Sequence, residues 1–375
     1  MKKKILFISA NSEFYGAERS LHSTLTAMKK SNIYEPLVIV SKNGGFCKEL
    51  RKLDIPVFII PFQGIVNYRR GYQPLRGILK LIFNLICVIL FFVFCKLIRL
   101  SPKVVHTNTV TTDFGWLLSK FFNIQHVFHI RESLKDQFGF DVELGDQYLH
   151  YMMSNSAKNI GISQYIRHTY ERKFKNLHIE LLYNCVELRY DREKPTKIDT
   201  NIINIALVGR LDVDKNWIVA LKAARELSPN CRAFRMHFFG SGGELNTLQQ
   251  YVRENELDNC ISFHGYYENI DLSDFDIGLI CSQYEAFGRV TAEYALSKLI
   301  VVGANTGGTK ELLKLLNGVG FNSDDYHDLA SQLQKVLSNI DEYKANIDDA
   351  RNTAIASFNS ARHFNNLEQI YQDFL

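Results

Sequence analysis

The chain has 375 residues, 46 % hydrophobic and 22 % charged, the composition of an ordinary globular protein with room for two or three domains. Disordered, collagenous and low-complexity classes are excluded. The net charge of +4 hides an imbalance: residues 1–197 hold 29 Lys and Arg against 16 Asp and Glu, and the remainder 15 against 24. A basic front half suits an anionic membrane surface, and no helix-turn-helix, zinc-finger or RRM-like pattern favours nucleic acid as a partner.

In chain order, Met1–Ala10 imitates a signal peptide, but its apolar core is too short, and Ile5–Ser9 reads as a first buried strand. The loop Asn11–Arg19, with Gly16 where a ligand or backbone comes close, leads to a helix over Ser20–Lys29, the opening of a βαβ unit. Leu37–Val40 and Val57–Ile60 read as strands around a helical Gly45–Leu53. The alternation argues for a doubly wound parallel sheet.

The segment 78–100 interrupts that rhythm. Fifteen residues between Lys80 and Lys96 are apolar except Asn84, with Arg69, Arg70, Arg76, Lys80, Lys96 and Arg99 at the flanks. Such a helix is about 22 Å long, short of the roughly 20 residues of a full span. Three readings stay open: a buried crossover helix, a helix in the membrane interface held by its basic flanks, and a true span. A strand, Lys103–His106, resumes at once.

His106 and His129 both fall at strand C-terminal ends, where open α/β sheets bind ligands. Asn159–Ser163 and Glu180–Val186 close the first domain, expected over 1–190, and the polar run Glu187–Thr200 is the linker. The second domain, 200–355, opens with the strand Ile203–Arg210. Arg210 and Lys215 bracket its loop and place two cations where a diphosphate would lie. Strands Arg235–Phe239, Ile261–Gly265, Ile277–Ile280 and Leu299–Gly303 follow. Residues 356–375, with Phe364, Tyr371 and Phe374 at helical spacing, are suited to packing back on the body. The seven cysteines are scattered without C-x-x-C spacing, so neither disulfides nor a zinc site is expected, which favours a reducing cytosol.

After Ile277–Ile280 comes Cys281-Ser282-Gln283-Tyr284-Glu285-Ala286-Phe287-Gly288, and then a helix carrying Glu293. This strand-to-helix turn offers free N–H groups to an anion and two carboxylates to hydroxyls. Asp212-Val213-Asp214 and Asp274-Phe275-Asp276 are read as incidental rather than metal-binding.

The order Gly209-Arg210-x4-Lys215, then Gly240-Ser241-Gly242, then Phe263-His264-Gly265, then Glu285-x-Phe287-Gly288-x4-Glu293, then Gly307-Gly308-x-x-Glu311, resembles family 4 glycosyltransferases over the C-terminal half. The N-terminal half agrees less specifically, through Phe14-Tyr15-Gly16-Ala17-Glu18, Val104–Asn108, His129–Glu132 and Tyr183–Val186. Cys185 stands where a glycine is usual, and Gly16 is single where many members have two.

The resemblance implies a GT-B fold, two Rossmann-like domains facing across a cleft, and a retaining, metal-independent transfer from a nucleotide sugar. Arg210 and Lys215 would then stabilise the donor diphosphate, and Glu293 would accept from the ribose. Glu285, with the N–H groups around Phe287 and Gly288, would orient the sugar. Backbone near Tyr266–Asn269 would meet the base, His129 would lie by the reactive sugar, and Gly16 and Gly240 would admit the donor. No cofactor is expected beyond the UDP- or GDP-sugar substrate. The acceptor is expected to be lipid-linked or an oligosaccharide, as in bacterial surface polysaccharide synthesis at the inner face of the plasma membrane. A GT-B sugar-nucleotide epimerase and an idle sugar-nucleotide-binding membrane subunit are the rival readings.

Overall fold

A computed structural model describes residues 2–68, 70–187, 202–227, 234–267 and 270–375. Most of the expected linker, Asn269, Arg69 and Cys231 lie outside them. The chain forms two compact units: residues 1–185 with 360–375, and residues 186–359.

The first unit runs β1 (Lys3–Ser9), α1 (Gly16–Lys30), β2 (Tyr34–Val40), α2 (Gly45–Lys52), β3 (Val57–Ile59), β4 (Val66–Tyr68), α3 (Pro74–Leu97), β5 (Val104–Thr107), α4 (Phe114–Phe122), β6 (Gln125–Ile130), α5 (Leu134–Phe138), β7 (Phe140–Val142), α6 (Asp146–Ser154), β8 (Lys158–Gly161), α7 (Gln164–Lys173) and β9 (Glu180–Leu181). Seven strands form a parallel sheet in the order β3-β2-β1-β5-β6-β8-β9. The order reverses beside β1, so the C-terminal ends of β1 and β5 open a crevice of the kind that binds ligands in open α/β sheets. Strands of this sheet are apolar in continuous runs because helices cover both faces; Ile5, Leu6, Phe7 and Ile8 are fully buried. The small antiparallel pair β4–β7 had no clear signal in the sequence, each strand being three residues long.

The second unit runs β10 (Ile203–Val208), α8 (Trp217–Leu227), β11 (Phe234–Phe239), α9 (Leu245–Glu254), β12 (Ile261–Gly265), β13 (Ile277–Ile280), α10 (Arg289–Leu296), β14 (Ile300–Ala304), α11 (Gly307–Leu315), β15 (Val319–Phe321), α12 (Tyr326–Ser338), α13 (Ile340–Lys344) and α14 (Ile347–Phe358). Its parallel sheet has the order β12-β11-β10-β13-β14-β15, with the reversal between β10 and β13. These strands pair only at Ile205–Ile277 and Ala206–Gly278 before they splay. The Tyr294 hydroxyl fills the gap, donating to the Ala206 carbonyl at 3.0 Å and accepting from the Val208 N–H at 2.8 Å. Gly278 makes room for that ring, because a Cβ there would lie 2.1 Å from it. The wedge opens the crevice in which the site is built.

The last helix, α15 (Ser360–Gln372), belongs to the first unit. Phe364, Leu367, Ile370 and Tyr371 join the core made by α1, β1 and β2. Two parallel sheets, each wound on both faces, give the chain the α/β architecture of GT-B proteins.

The apolar segment, expected over about 78–100, is a 24-residue helix over Pro74–Leu97, so the helix extends beyond the fifteen apolar residues between Lys80 and Lys96, and it is long and apolar enough to cross a membrane by length and composition alone. Pro74 starts it at a position where a missing N–H costs nothing. Only 28 % of its most apolar window is buried, which removes the buried-crossover reading. One stripe, Gly77, Asn84, Val88, Phe91 and Cys95, lies against the unit, while Leu75, Leu79, Ile82, Ile86, Leu90 and Leu97 are exposed. The basic flank at its start is also not as expected. Arg76 and Lys80 both pair with the fully buried Glu143, at 3.2 and 2.9 Å.

Candidate functional site

At the reversal in the second unit, the loop after β10 and the loop after β13 meet through one ion pair. Lys215 Nζ lies 2.5 Å from Glu285 Oε1, and the two side chains are 17 % and 18 % exposed. Burial disfavours the ammonium, but the adjacent Glu285 carboxylate more than offsets this and raises the Lys215 pKa. Lys215 is therefore an ammonium at neutral pH. The sequence had put both residues at the site without joining them.

Arg210 is held differently. Its guanidinium, 55 % exposed, meets Asp212 at 2.7 Å and Asp214 at 3.2 Å. The Asp-x-Asp read as incidental therefore has a role, as the clamp on Arg210. Asp212 also accepts from the Gly243 N–H at 3.0 Å, which ties this loop to the glycine-rich turn after β11. Gly240 is required there: its φ is +153°, and a Cβ would sit 1.8 Å from the Gly209 carbonyl oxygen.

The loop Cys281–Gly288 rests on the start of α11. The Glu285 carbonyl accepts from the Gly308 N–H at 2.7 Å. Phe287 is buried and packs edge-on against Phe358, so it anchors the loop, and only its backbone faces the question of a ligand. Gly288, at φ +85°, precedes the first turn of α10 without a side-chain cap. Glu293, expected to be open to a ribose, already accepts from Arg289 Nε at 3.0 Å. Tyr266, at the end of β12, is 67 % exposed.

Two features were missed in the sequence. One is Tyr294, whose aromatic ring reads there as ordinary core. The other is a polar tie in which Asp324 accepts from Asn216 at 2.6 Å and from Gln283 at 2.9 Å, linking the same two loops. Its partners are 108 and 41 residues away in the chain, a separation no local pattern reports.

In the first unit, Gly16 opens α1 with none of the described residues within 4 Å of a would-be Cβ, so backbone there is approachable. His129 is buried at the end of β6. Its Nδ1 faces His106 Nε2 at 3.2 Å and Arg131 at 3.3 Å, and its ring stacks on His363 from α15. Burial first, then the charge of Arg131, lowers the His129 pKa well below the usual histidine value, so the ring is neutral.

Residues 190–353 match the family described as Glycosyl transferases group 1. An N-acetyl-alpha-D-glucosaminyl L-malate synthase of Bacillus anthracis is 25 % identical over 231 residues, 56 % of this chain; the match spans 58 % of that relative's length. Among solved structures, an Anabaena protein, Alr3699/HepE, in complex with UDP superposes with a TM-score of 0.81 at 19 % identity, covering 99 % of this chain and 100 % of that one. A glycosyltransferase of Rickettsia africae superposes at 0.78 with 21 % identity, over 100 % and 98 % of the two chains. At these identities the structures are alike in fold.

Proposed function

We propose that this chain, with its GT-B architecture and its glycosyl transferases group 1 segment, is a retaining glycosyltransferase that uses a nucleotide sugar. The observation that carries the reading is the Lys215–Glu285 pair at the strand-order reversal of the second unit, with Arg210 beside it. The solved Anabaena relative binds UDP, and a second structure of it holds UDP-glucose, which favours a UDP-sugar over a GDP-sugar here.

As they stand, Arg210 and Lys215 are neutralised by Asp212, Asp214 and Glu285. A donor diphosphate takes over these cations by partner exchange, easily at exposed Arg210 and less so at buried Lys215. Glu285, released from Lys215, accepts hydroxyls of the sugar; Glu293 shifts from Arg289 to the ribose. The bond from the anomeric carbon to the diphosphate breaks while Arg210 and Lys215 hold the developing negative charge. The acceptor hydroxyl attacks the same face, and its proton passes to the departing diphosphate oxygen. No metal is needed in this scheme, since the two cations supply the charge.

The acceptor is a lipid-linked saccharide at the inner face of the plasma membrane, as surface polysaccharide synthesis requires. This part rests on α3. Its buried stripe is fixed to the first unit along its length: Asn84 exchanges two hydrogen bonds with Gln63, and Phe91 and Phe92 pack on Phe58 and Phe122. A helix so held offers one apolar face and lies in the membrane interface. Exposed Lys96, Arg99 and Lys103 at its end suit anionic headgroups.

The test is thermal shift against UDP-, GDP-, ADP- and dTDP-sugars, for the wild type and Glu293→Ala. A ligand at a hundred times its Kd stabilises by about 2.7 kcal/mol. One nucleotide class should raise the melting temperature, and Glu293→Ala should abolish the rise. No response in either protein would refute the nucleotide-sugar site, a shift without any turnover would favour an idle binding subunit, and a new nucleotide sugar formed without acceptor would favour an epimerase.

A further inference from the structure

Arg131, almost wholly buried at the end of β6, can only donate hydrogen bonds. Its Nε donates to Asn108 Oδ1 at 2.9 Å, its Nη1 donates to Asn184 Oδ1, and its Nη2 donates to His129 Nδ1 at 3.3 Å. Each partner must therefore turn an acceptor toward it. For Asn108 this fixes the amide with Nδ2 pointing the other way. For His129 it fixes the tautomer: Nδ1 is bare, so the proton sits on Nε2.

His106 agrees with that assignment. With Nδ1 of His129 accepting, His106 must donate from Nε2 across their 3.2 Å contact, and its own Nδ1 then accepts from the Tyr371 hydroxyl at 2.7 Å. The opposite tautomer of His106 would set two lone pairs face to face. His363, stacked on His129, is fixed independently: its Nδ1 donates to the Tyr183 carbonyl at 2.7 Å, which leaves Nε2 bare, 3.0 Å from the Thr24 hydroxyl. The acidic side chains near Arg131, Glu18 and Glu132, accept from Ser9 and from Thr109 with the Val110 N–H.

The two groups left over are Asn108 Nδ2 and His129 Nε2–H, both buried donors without a partner among the described residues. They stand at the C-terminal ends of β5 and β6, next to the strand-order reversal of the first unit.

We propose that Arg131 organises Asn108 and His129 into a fixed pair of neutral hydrogen-bond donors that receives an oxygen of the substrate, and that His106 and Tyr371 act as positioning residues for it. The ligand chemistry is a hydroxyl or phosphoryl oxygen; an ammonium or another donor is rejected. Tyr371 comes from α15, so the C-terminal helix contributes to a site in the N-terminal unit. The identity of the ligand rests on the glycosyltransferase reading, whereas the tautomer does not.

The experiment uses the full chain labelled with 15N-histidine and long-range 1H–15N correlation at neutral pH, with His129 assigned by its loss in His129→Gln. The expected pattern is a neutral ring protonated on Nε2; an Nδ1–H ring or an imidazolium overturns the proposal. Inorganic phosphate, glucose, UDP and UDP-glucose are then added in turn. A shift of the Nε2 resonance with glucose or UDP-glucose but not UDP identifies a sugar hydroxyl, and a shift with phosphate and UDP a phosphoryl oxygen. If UDP-glucose raises the melting temperature and the resonance does not move with any probe, the donors serve an ordered water only and the substrate role is refuted. If UDP-glucose does not bind at all, the glycosyl-donor reading fails first, and the sugar nucleotide that does bind replaces it in the same titration. Asn108→Asp keeps the oxygen for Arg131 and removes the free donor. It should weaken the responsive ligand at least tenfold while leaving the His129 tautomer unchanged; unchanged affinity would overturn the role of Asn108.

Discussion

Replacing Lys215 with Met tests the charge pair on which the site is built. At 2.5 Å, and with an effective dielectric of about 20, the gross attraction between Lys215 and Glu285 is about 7 kcal/mol, most of which desolvation offsets. Removing one partner leaves the other charge buried and uncompensated, so Lys215→Met should cost about 3–5 kcal/mol. Glu285→Gln keeps an oxygen for the ammonium and should cost less, about 1–3 kcal/mol. The double variant should be more stable than the sum of the two predicts, with a coupling of about 2 kcal/mol. Urea unfolding can isolate the second unit because the chain has two tryptophans, Trp116 and Trp217. Trp217 Nε1 donates to the Arg210 carbonyl at 2.7 Å, so in a Trp116→Phe background its fluorescence reports the loop that carries the pair. The pH behaviour follows from the sign of the shift. A lysine whose folded pKa is raised above 10.5 contributes stability fully below that value and loses it only as pH rises through the folded pKa. The coupling should therefore be constant across neutral pH. An unchanged midpoint for Lys215→Met, or single effects that simply add, would refute the reasoning.

Burial pushes the Glu18 carboxyl up to about 7 against the opposing pull of its hydrogen bonds, so the first unit loses stability as pH rises from 4.5 to 7. Glu18→Gln, which can still accept from Ser9, should match the wild type near pH 4.5 and exceed it by about 3 kcal/mol above pH 7, measured as the difference in melting temperature across that range. Tyr294→Phe strands the Ala206 carbonyl and the Val208 N–H at the strand splay, and should lower the stability of the second unit by about 2 kcal/mol in chemical unfolding. If α3 lies in the membrane interface, the wild type should sediment with phosphatidylglycerol vesicles. Leu79→Glu with Leu90→Glu should weaken that partition more than tenfold, given about 1.5–3 kcal/mol for each leucine taken out of water. Equal sedimentation of both proteins would remove the membrane role of this helix.

Much of the fold was legible because parallel strands buried on both faces must be continuous apolar runs, as in Ile5–Ile8 and Ile277–Ile280. The candidate residues of the second unit were legible for a related reason. Glycines and charges at strand ends, Arg210, Gly240, Glu285 and Gly288, stand out against the apolar strands before them. In the sequence the apolar run of α3 counts only from Lys80, whose charge reads as a boundary. In the fold that charge is satisfied by Glu143, 63 residues on, and the helix continues through it.

The sequence by itself determined the period and order of the elements, the two-domain plan and the crevice-facing loops, all of which depend on local burial and turn chemistry. Tertiary structure alone decided which charges meet. Lys215 and Glu285 are 70 residues apart, and Arg131 gathers Asn108, His129 and Asn184 from three separate strand ends. Hydrogen-bond direction, tautomer and pairing are properties of distances between side chains that no periodicity encodes. They become fixed only when the sheet brings the ends of its strands together.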